Sequence, residues 1–437
     1  MIKRLILLLV MVWTLQILSA QQIDQRIGQL LNTSDWFGLQ EELQSNGDAI
    51  QTPFLKLLAE TMMAYHANQP DKALVCLNKL LENHQTDLGI SNVVNLLTLK
   101  YIILKSIGAY QQMDRELSIA IEQLKKQNGA EGLEMLENLF NINKHCIGYQ
   151  PLSISKPAYD VTVPLTIDTI QAKQTLEWFH QSTTDRGHIM TIPVTVHGQK
   201  HAFIFDTGAS GTYLSMRKAK QLGVKIFNDT TVVNGKMLIH EGYLDSLQIG
   251  NITIRNLLVY VGMPSETDSV FTFDAILGLD CLKAIGESQI NYAARKIVFP
   301  AHPTPVPLTG SNLLIDNIPM FKAYRGQERL IFKLDTGDDS AELSPRYYQT
   351  HRHEVDQYGV AQTITKGSYN DISNKRVALI PYITFEVGYR KMTITPIYVS
   401  TDVTDAMKQN DGVMGMKLIR QTRKVTINLK DMFLKLE

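Results

Sequence analysis

One short pattern occurs twice in the 437-residue chain. Phe203-Ile204-Phe205-Asp206-Thr207-Gly208-Ala209-Ser210 and Ile331-Phe332-Lys333-Leu334-Asp335-Thr336-Gly337-Asp338-Asp339-Ser340 each carry an apolar stretch into Asp-Thr-Gly. Aromatic and branched residues in such a run predict a buried strand, and the glycine releases the backbone into a tight turn that leaves the aspartate at the strand end. One Asp-Thr-Gly alone is an ordinary surface turn. Here the surroundings repeat too: Ala275-Ile276-Leu277-Gly278-Leu279-Asp280 follows the first copy and Gly412-Val413-Met414-Gly415-Met416-Lys417 the second, at similar separations. The repeating unit is therefore a whole lobe, and repetition on that scale dictates the architecture.

These residues resemble the aspartic proteases, in which two Asp-Thr/Ser-Gly loops meet at a pseudo-twofold axis. The compact lobes look retropepsin-like, but two of them share one chain in the pepsin-like manner. The resemblance covers residues 188–437. It implies an all-β bilobal aspartic-protease domain of the double-psi β-barrel type, with lobe 1 at 188–300 and lobe 2 at 301–437. It also implies a peptide or protein substrate, and it makes the hairpins around Asn234-Gly235 and Lys366-Gly367-Ser368 flap-like covers over bound peptide.

Two carboxylates a few ångströms apart cannot both ionise cheaply, so they share one proton and titrate as a pair. The ionised member draws a proton from water while the protonated member donates to the peptide carbonyl. Asp206 and Asp335 are the expected catalytic dyad. Thr207 and Thr336 match the family's threonines that bond across the lobe junction, Gly208 and Gly337 allow close backbone approach, and Gly278 and Gly415 match the glycine packed beneath each loop. The second lobe departs from the pattern at Asp338, where a small or hydroxylated residue is expected. A third carboxylate there modulates the dyad by raising the cost of ionisation, or it simply caps a turn.

The chain begins with Lys3 and Arg4, an apolar run from Leu5 to Leu18 broken by Thr14 and Gln16, and Leu18-Ser19-Ala20. This pattern predicts a signal peptide at 1–20 and an exported protein, periplasmic or secreted. The run falls short of the roughly 20 residues of a spanning helix, so a membrane is a partner only if the segment stays uncleaved. Residues 21–148 predict an α-helical domain with few glycines and prolines. Helical hairpins break at Asn68-Gln69-Pro70, with Asp71 as the cap, and near Tyr110, in a degenerate TPR-like arrangement. Prolines 151, 157 and 164 mark 149–187 as a linker or transition offering short strands and ending in Leu176-Glu177-Trp178-Phe179-His180.

The 43 basic and 43 acidic residues cancel, which removes the electrostatic case for nucleic acid. Cys76, Cys146 and Cys281 lie far apart in sequence and give neither a disulfide framework nor metal-ligand spacing. His351-Arg352-His353 lacks a third ligand, so no metal or cofactor is expected. The expected function is an exported aspartic endopeptidase that cleaves with water activated between Asp206 and Asp335. The alternative is a weakly active or inactive peptide-binding module. In either case the helices act as a partner scaffold, a plain accessory bundle, or a pro-segment.

Overall fold

The computed structural model describes residues 21–128, 132–142, 144–175, 181–233, 237–262, 274–368, 371–402 and 409–437. The expected signal segment, the Leu176–His180 stretch and the Asn234-Gly235 turn lie outside them. The chain divides into two compact units, Met1–Ile147 and Gly148–Glu437. Among the described residues, no helix is long and apolar enough to cross a membrane.

The first unit is helical. Its helices pair as hairpins whose turns are built alike. Pro53–His66 is joined to Pro70–Asn83 through Asn68, and Ile90–Ser106 is joined to Tyr110–Asn128 through Gly108. Asn68 and Gly108 both adopt positive φ, a conformation that glycine and asparagine tolerate best. Each turn is closed by a similar bond, Gln69 N–H to the Ala64 carbonyl and Ala109 N–H to that of Leu104. Pro70 opens its helix with Gln69 as cap, so Asp71 sits in the first turn and is not the cap expected from sequence. The pre-set φ of proline favours that first helical position. Ala73, Leu77, Leu80, Leu97, Leu104, Met113 and Leu117 fill the space between the helices.

The second unit is built on three sheets. In the first, Gln199–Phe205 lies between Gln181–Val196 and the short parallel strand Ala275–Leu277. That short strand is itself inserted between Gln199–Phe205 and Tyr213–Ser215. The second large sheet repeats the arrangement: Gly412–Met414 runs parallel to Glu328–Leu334 and antiparallel to Ala341–Leu343. Each Asp-Thr-Gly loop thus sits where a ψ-like crossing of strands fixes both of its ends. Phe203, Phe205, Phe332 and Leu334 are buried on these strands, so each aspartate follows directly from core. Lys225–Val233 pairs with Met237–Ile249, and Val360–Ser368 with Asp371–Ile380, as antiparallel hairpins.

The third sheet joins the lobes. Glu287–Asn291 of lobe 1 pairs with Val425–Asn428 of lobe 2, flanked by Lys296–Phe299 and Val161–Pro164 on one side and Phe433–Leu436 on the other. The stretch 149–187, expected as a linker or transition offering short strands, does carry strands. They are Ser153–Ser155, Val161–Pro164 and Thr166–Thr175, and Gln181–Val196 begins within the same stretch. Pro164 did not prevent this because its strand lies at a sheet edge, where a missing N–H donor is tolerated. On the opposite edge, the Asn312 side chain takes the part of a further strand: its amide donates to the Leu434 carbonyl at 3.0 Å and its Oδ1 accepts the Leu434 N–H at 2.7 Å.

Glu287 is the polar centre of this joining sheet. Its buried carboxyl accepts from Thr304 N–H, Thr304 hydroxyl, Gln289 and, across the lobe boundary, Asn428. Glu287→Ala is expected to strand these donors and destabilise the β unit by about 3 kcal/mol, read as a lower urea midpoint. A midpoint within error of wild type would show that the network adds nothing.

Candidate active site

The two loops are held by equivalent bonds. Asp206 N–H donates to the Leu277 carbonyl and Asp335 N–H to the Met414 carbonyl, at 3.2 and 3.1 Å. Behind them, Leu279 N–H binds the Ala209 carbonyl and Met416 N–H binds the Asp338 carbonyl, at 2.9 and 2.7 Å. Gly278 and Gly415 lie directly against these loops. A β-carbon added at Gly278 would run into the backbone of Gly211, and one added at Gly415 into the carbonyls of Asp338 and Ser340. Backbone cannot give way as a flexible side chain can, so only glycine fits at either place.

Thr207 and Thr336 form a reciprocal lock between the lobes. Thr207 N–H donates to Thr336 Oγ1 at 2.9 Å, and Thr336 N–H donates to Thr207 Oγ1 at 3.1 Å. Each hydroxyl then donates to the other lobe's strand, Thr207 to the Leu334 carbonyl at 2.8 Å and Thr336 to the Phe205 carbonyl at 2.7 Å. Both threonines are fully buried. Four bonds across one junction fix the register of the two loops, because sliding either lobe would break all four.

This lock brings the two aspartates together. Gly208 N–H donates to Asp206 Oδ1 at 2.6 Å and Gly337 N–H to Asp335 Oδ1 at 3.0 Å. The two carboxyl groups lie close enough for each to bear on the other's ionisation. The glycines make room for this contact: a β-carbon on Gly337 would lie 2.5 Å from Asp206 Oδ2, and one on Gly208 would collide with the Asp335 carboxyl.

Both carboxyls are pushed above the ordinary range. For Asp206 the main cause is loss of solvent, partly offset by the backbone N–H bonds it accepts, led by that of Gly208. Asp335 is likewise pushed up, first by loss of solvent, then by the charge of Asp206, then by that of Asp338. The consequence for stability has a definite sign. In the unfolded chain Asp335 ionises freely once pH passes the ordinary carboxylate range, whereas the folded chain must keep its proton, so folding loses stability as pH rises through that window. Asp335→Asn is expected to unfold at a higher temperature than wild type near neutral pH, with the gap closing in acid. A gap of the same size at all pH values would contradict the assignment of that proton.

Asp338 does part of what the bland sequence reading expects: its Oδ1 accepts the Ser340 N–H at 2.8 Å and the Ser340 hydroxyl at 2.7 Å, capping the turn. Its neighbour Asp339 is paired with Arg420 and lies 3.4 Å from His188 Nδ1. His351 ends the helix Pro345–Thr350, stacks on Tyr347 and contacts Glu328.

One supporting pair escaped sequence reasoning. Thr212 donates through both its N–H and its hydroxyl to Asp280, at 2.9 and 2.8 Å, and Gly278 N–H donates back to the Thr212 hydroxyl at 3.3 Å. Burial pushes Asp280 up despite the Thr212 bonds. Lobe 2 has Ala341 and Lys417 at the matching places, and the hydroxyl-to-carboxylate bond is made there by Ser340 and Asp338 inside the loop. The acidic residue after Leu279 was the only sequence signal, and its partner is far away in the chain.

A family model described as "gag-polyprotein putative aspartyl protease" matches residues 192–284. No curated protein matches the chain. Among solved structures, the aspartic proteinase from Irpex lacteus is similar at 13% identity and a TM-score of 0.37, over 63% of this chain and 96% of that one. The family match spans the first Asp-Thr-Gly loop and its supporting glycine, and it supports an aspartic-protease-like fold for the β unit.

Proposed function

We propose that the β unit is an aspartic-type endopeptidase, in which Asp206 accepts a proton from water while Asp335 donates one to the scissile carbonyl oxygen. The observation that carries this reading is the approach of two carboxyls, each close against the other loop's glycine, on loops locked by the Thr207–Thr336 bonds. A water placed against both carboxyls is activated by the ionised one, and the developing oxyanion is met by the acid of the other. On collapse of the tetrahedral diol, Asp206 gives its proton to the leaving amine and Asp335 takes one back from a hydroxyl of the diol, so both carboxyls end in their starting states. We further read the chain as exported through its first twenty residues. The TPR-like helical pairs are read as the part that recruits a protein partner or holds the protease back as a pro-segment.

The reading is tested by incubating the purified chain with a diverse peptide mixture across about pH 3 to 8 and identifying new termini by mass spectrometry. Internal cleavage is the expected result. Absence of cleavage by folded protein at every pH would favour the second reading, a peptide-binding module, for which Asp338 beside the dyad is the specific motive.

A further inference from the structure

The Thr207–Thr336 bonds join the two loops at one place, and a joint made at one place leaves the lobes able to turn about it. A second tie lies on the same loop. Asp339 is paired with the Arg420 guanidinium, and its Oδ2 lies 3.4 Å from Nδ1 of His188 in lobe 1. The lobe 1 backbone is shaped to receive it. Gly187 adopts φ +138°, a conformation that favours glycine, and a β-carbon there would lie 3.1 Å from Asp339 Oδ2 and 3.2 Å from the Asp339 β-carbon. Arg420 is fixed by its own N–H bond to the Met416 carbonyl, in the segment whose Met416 N–H also binds the Asp338 carbonyl. Its guanidinium stands over the Tyr292 ring of lobe 1, 5.9 Å from the ring centre.

We propose that Asp339, held by Arg420 and reaching His188, is a positioning residue that fixes the rotation of lobe 2 on lobe 1 and with it the separation of Asp206 and Asp335. This rests on the reading of the dyad as the centre of peptide hydrolysis. His188 lies on Gln181–Val196, which pairs with Gln199–Phe205, the strand that delivers Asp206. The tie therefore runs from the neighbour of one aspartate's strand to the loop that carries the other aspartate. The threonine bonds set the register of the loops, and Asp339 sets their angle. Lobe 1 carries the shorter Ser210 at the matching place, so the pseudo-symmetry is broken here. Ion pairs between partly exposed side chains add little to folding stability, so the effect falls on the geometry of the dyad and not on the unfolding midpoint.

Kinetics on one cleaved peptide are measured for wild type, His188→Ala, Asp339→Ser, the double variant and His188→Arg, with a urea midpoint for each. Serine is the residue that lobe 1 carries at the matching place, and arginine at 188 keeps a donor within reach of Asp339. Misplacing reacting groups by about 1 Å costs on the order of 100-fold in rate, so loss of one of two ties is expected to lower kcat about tenfold in each single variant, with KM nearly unchanged. The double variant is expected to be no slower than Asp339→Ser, because both changes break the same tie, and His188→Arg to recover most of the rate. Wild-type kcat in both singles, losses that multiply in the double variant, a loss seen in KM alone, no recovery in His188→Arg, or a rate loss matched by a lower midpoint each overturns the proposal while leaving the endopeptidase standing. Failure of folded wild type to cleave any peptide overturns the endopeptidase reading and the proposal with it.

Discussion

Asparagine in place of either Asp206 or Asp335 is expected to lower kcat for peptide hydrolysis by about 10³-fold or more, the loss that follows when a positioned acid or base is removed. Neither residue is expected to substitute for the other, because each loop presents its own carboxyl and the reaction needs one as base and one as acid. KM is expected to change much less, since neither carboxyl supplies the extended contacts that hold a peptide. The double variant is expected to be no worse than the singles, as for groups that act as a unit. Kinetics on one cleaved peptide check this. Residual activity within a factor of about ten of wild type in either single variant would show that the pair is not the catalytic centre.

The second large effect is expected at the lobe junction. Thr336→Val keeps the shape of the side chain but removes its hydroxyl, leaving the Thr207 N–H and the Phe205 carbonyl unpaired in a fully buried place. Two stranded backbone groups cost about 2 to 5 kcal/mol together. Thr336→Ser keeps both bonds and is expected to restore most of the loss. Activity should fall in step, because the lock that sets the dyad distance is halved. Chemical unfolding of both variants checks the energy. Equal stability of the valine and serine variants would mean that packing, not the hydroxyl, makes threonine necessary.

The parts of this site that were legible in the sequence are those carried by the repeat. Asp206 and Asp335, their threonines, and Gly278 and Gly415 were located because two stretches far apart matched in kind and spacing, which only a repeated lobe explains. The glycines prove to be demanded by contact with backbone, a need that a sequence signals only through its regularity. What stayed hidden depends on pairings that no local pattern encodes. Gln181-Ser182-Thr183-Thr184-Asp185-Arg186 has no apolar alternation, yet it forms strand because it pairs with Thr166–Thr175. Asp280 with Thr212 in lobe 1, Asn312 with Leu434 in lobe 2, and Glu287 with Asn428 between the lobes are joined only by folding of distant segments. Asp338 was legible as an anomaly, but its capping of Ser340 and its effect on Asp335 needed the loop geometry.

The central claim is that Asp206 and Asp335 hold one proton between them. Carbon NMR of protein labelled at the aspartate side-chain carboxyls, titrated with pH and assigned with the two asparagine variants, reads this whether or not a substrate is known. The account predicts two resonances that move together in two steps, one of them well above the ordinary carboxylate range of about 4, and the upper step lost in either variant. Two resonances titrating independently in the ordinary range, each unmoved by loss of the other, would contradict it.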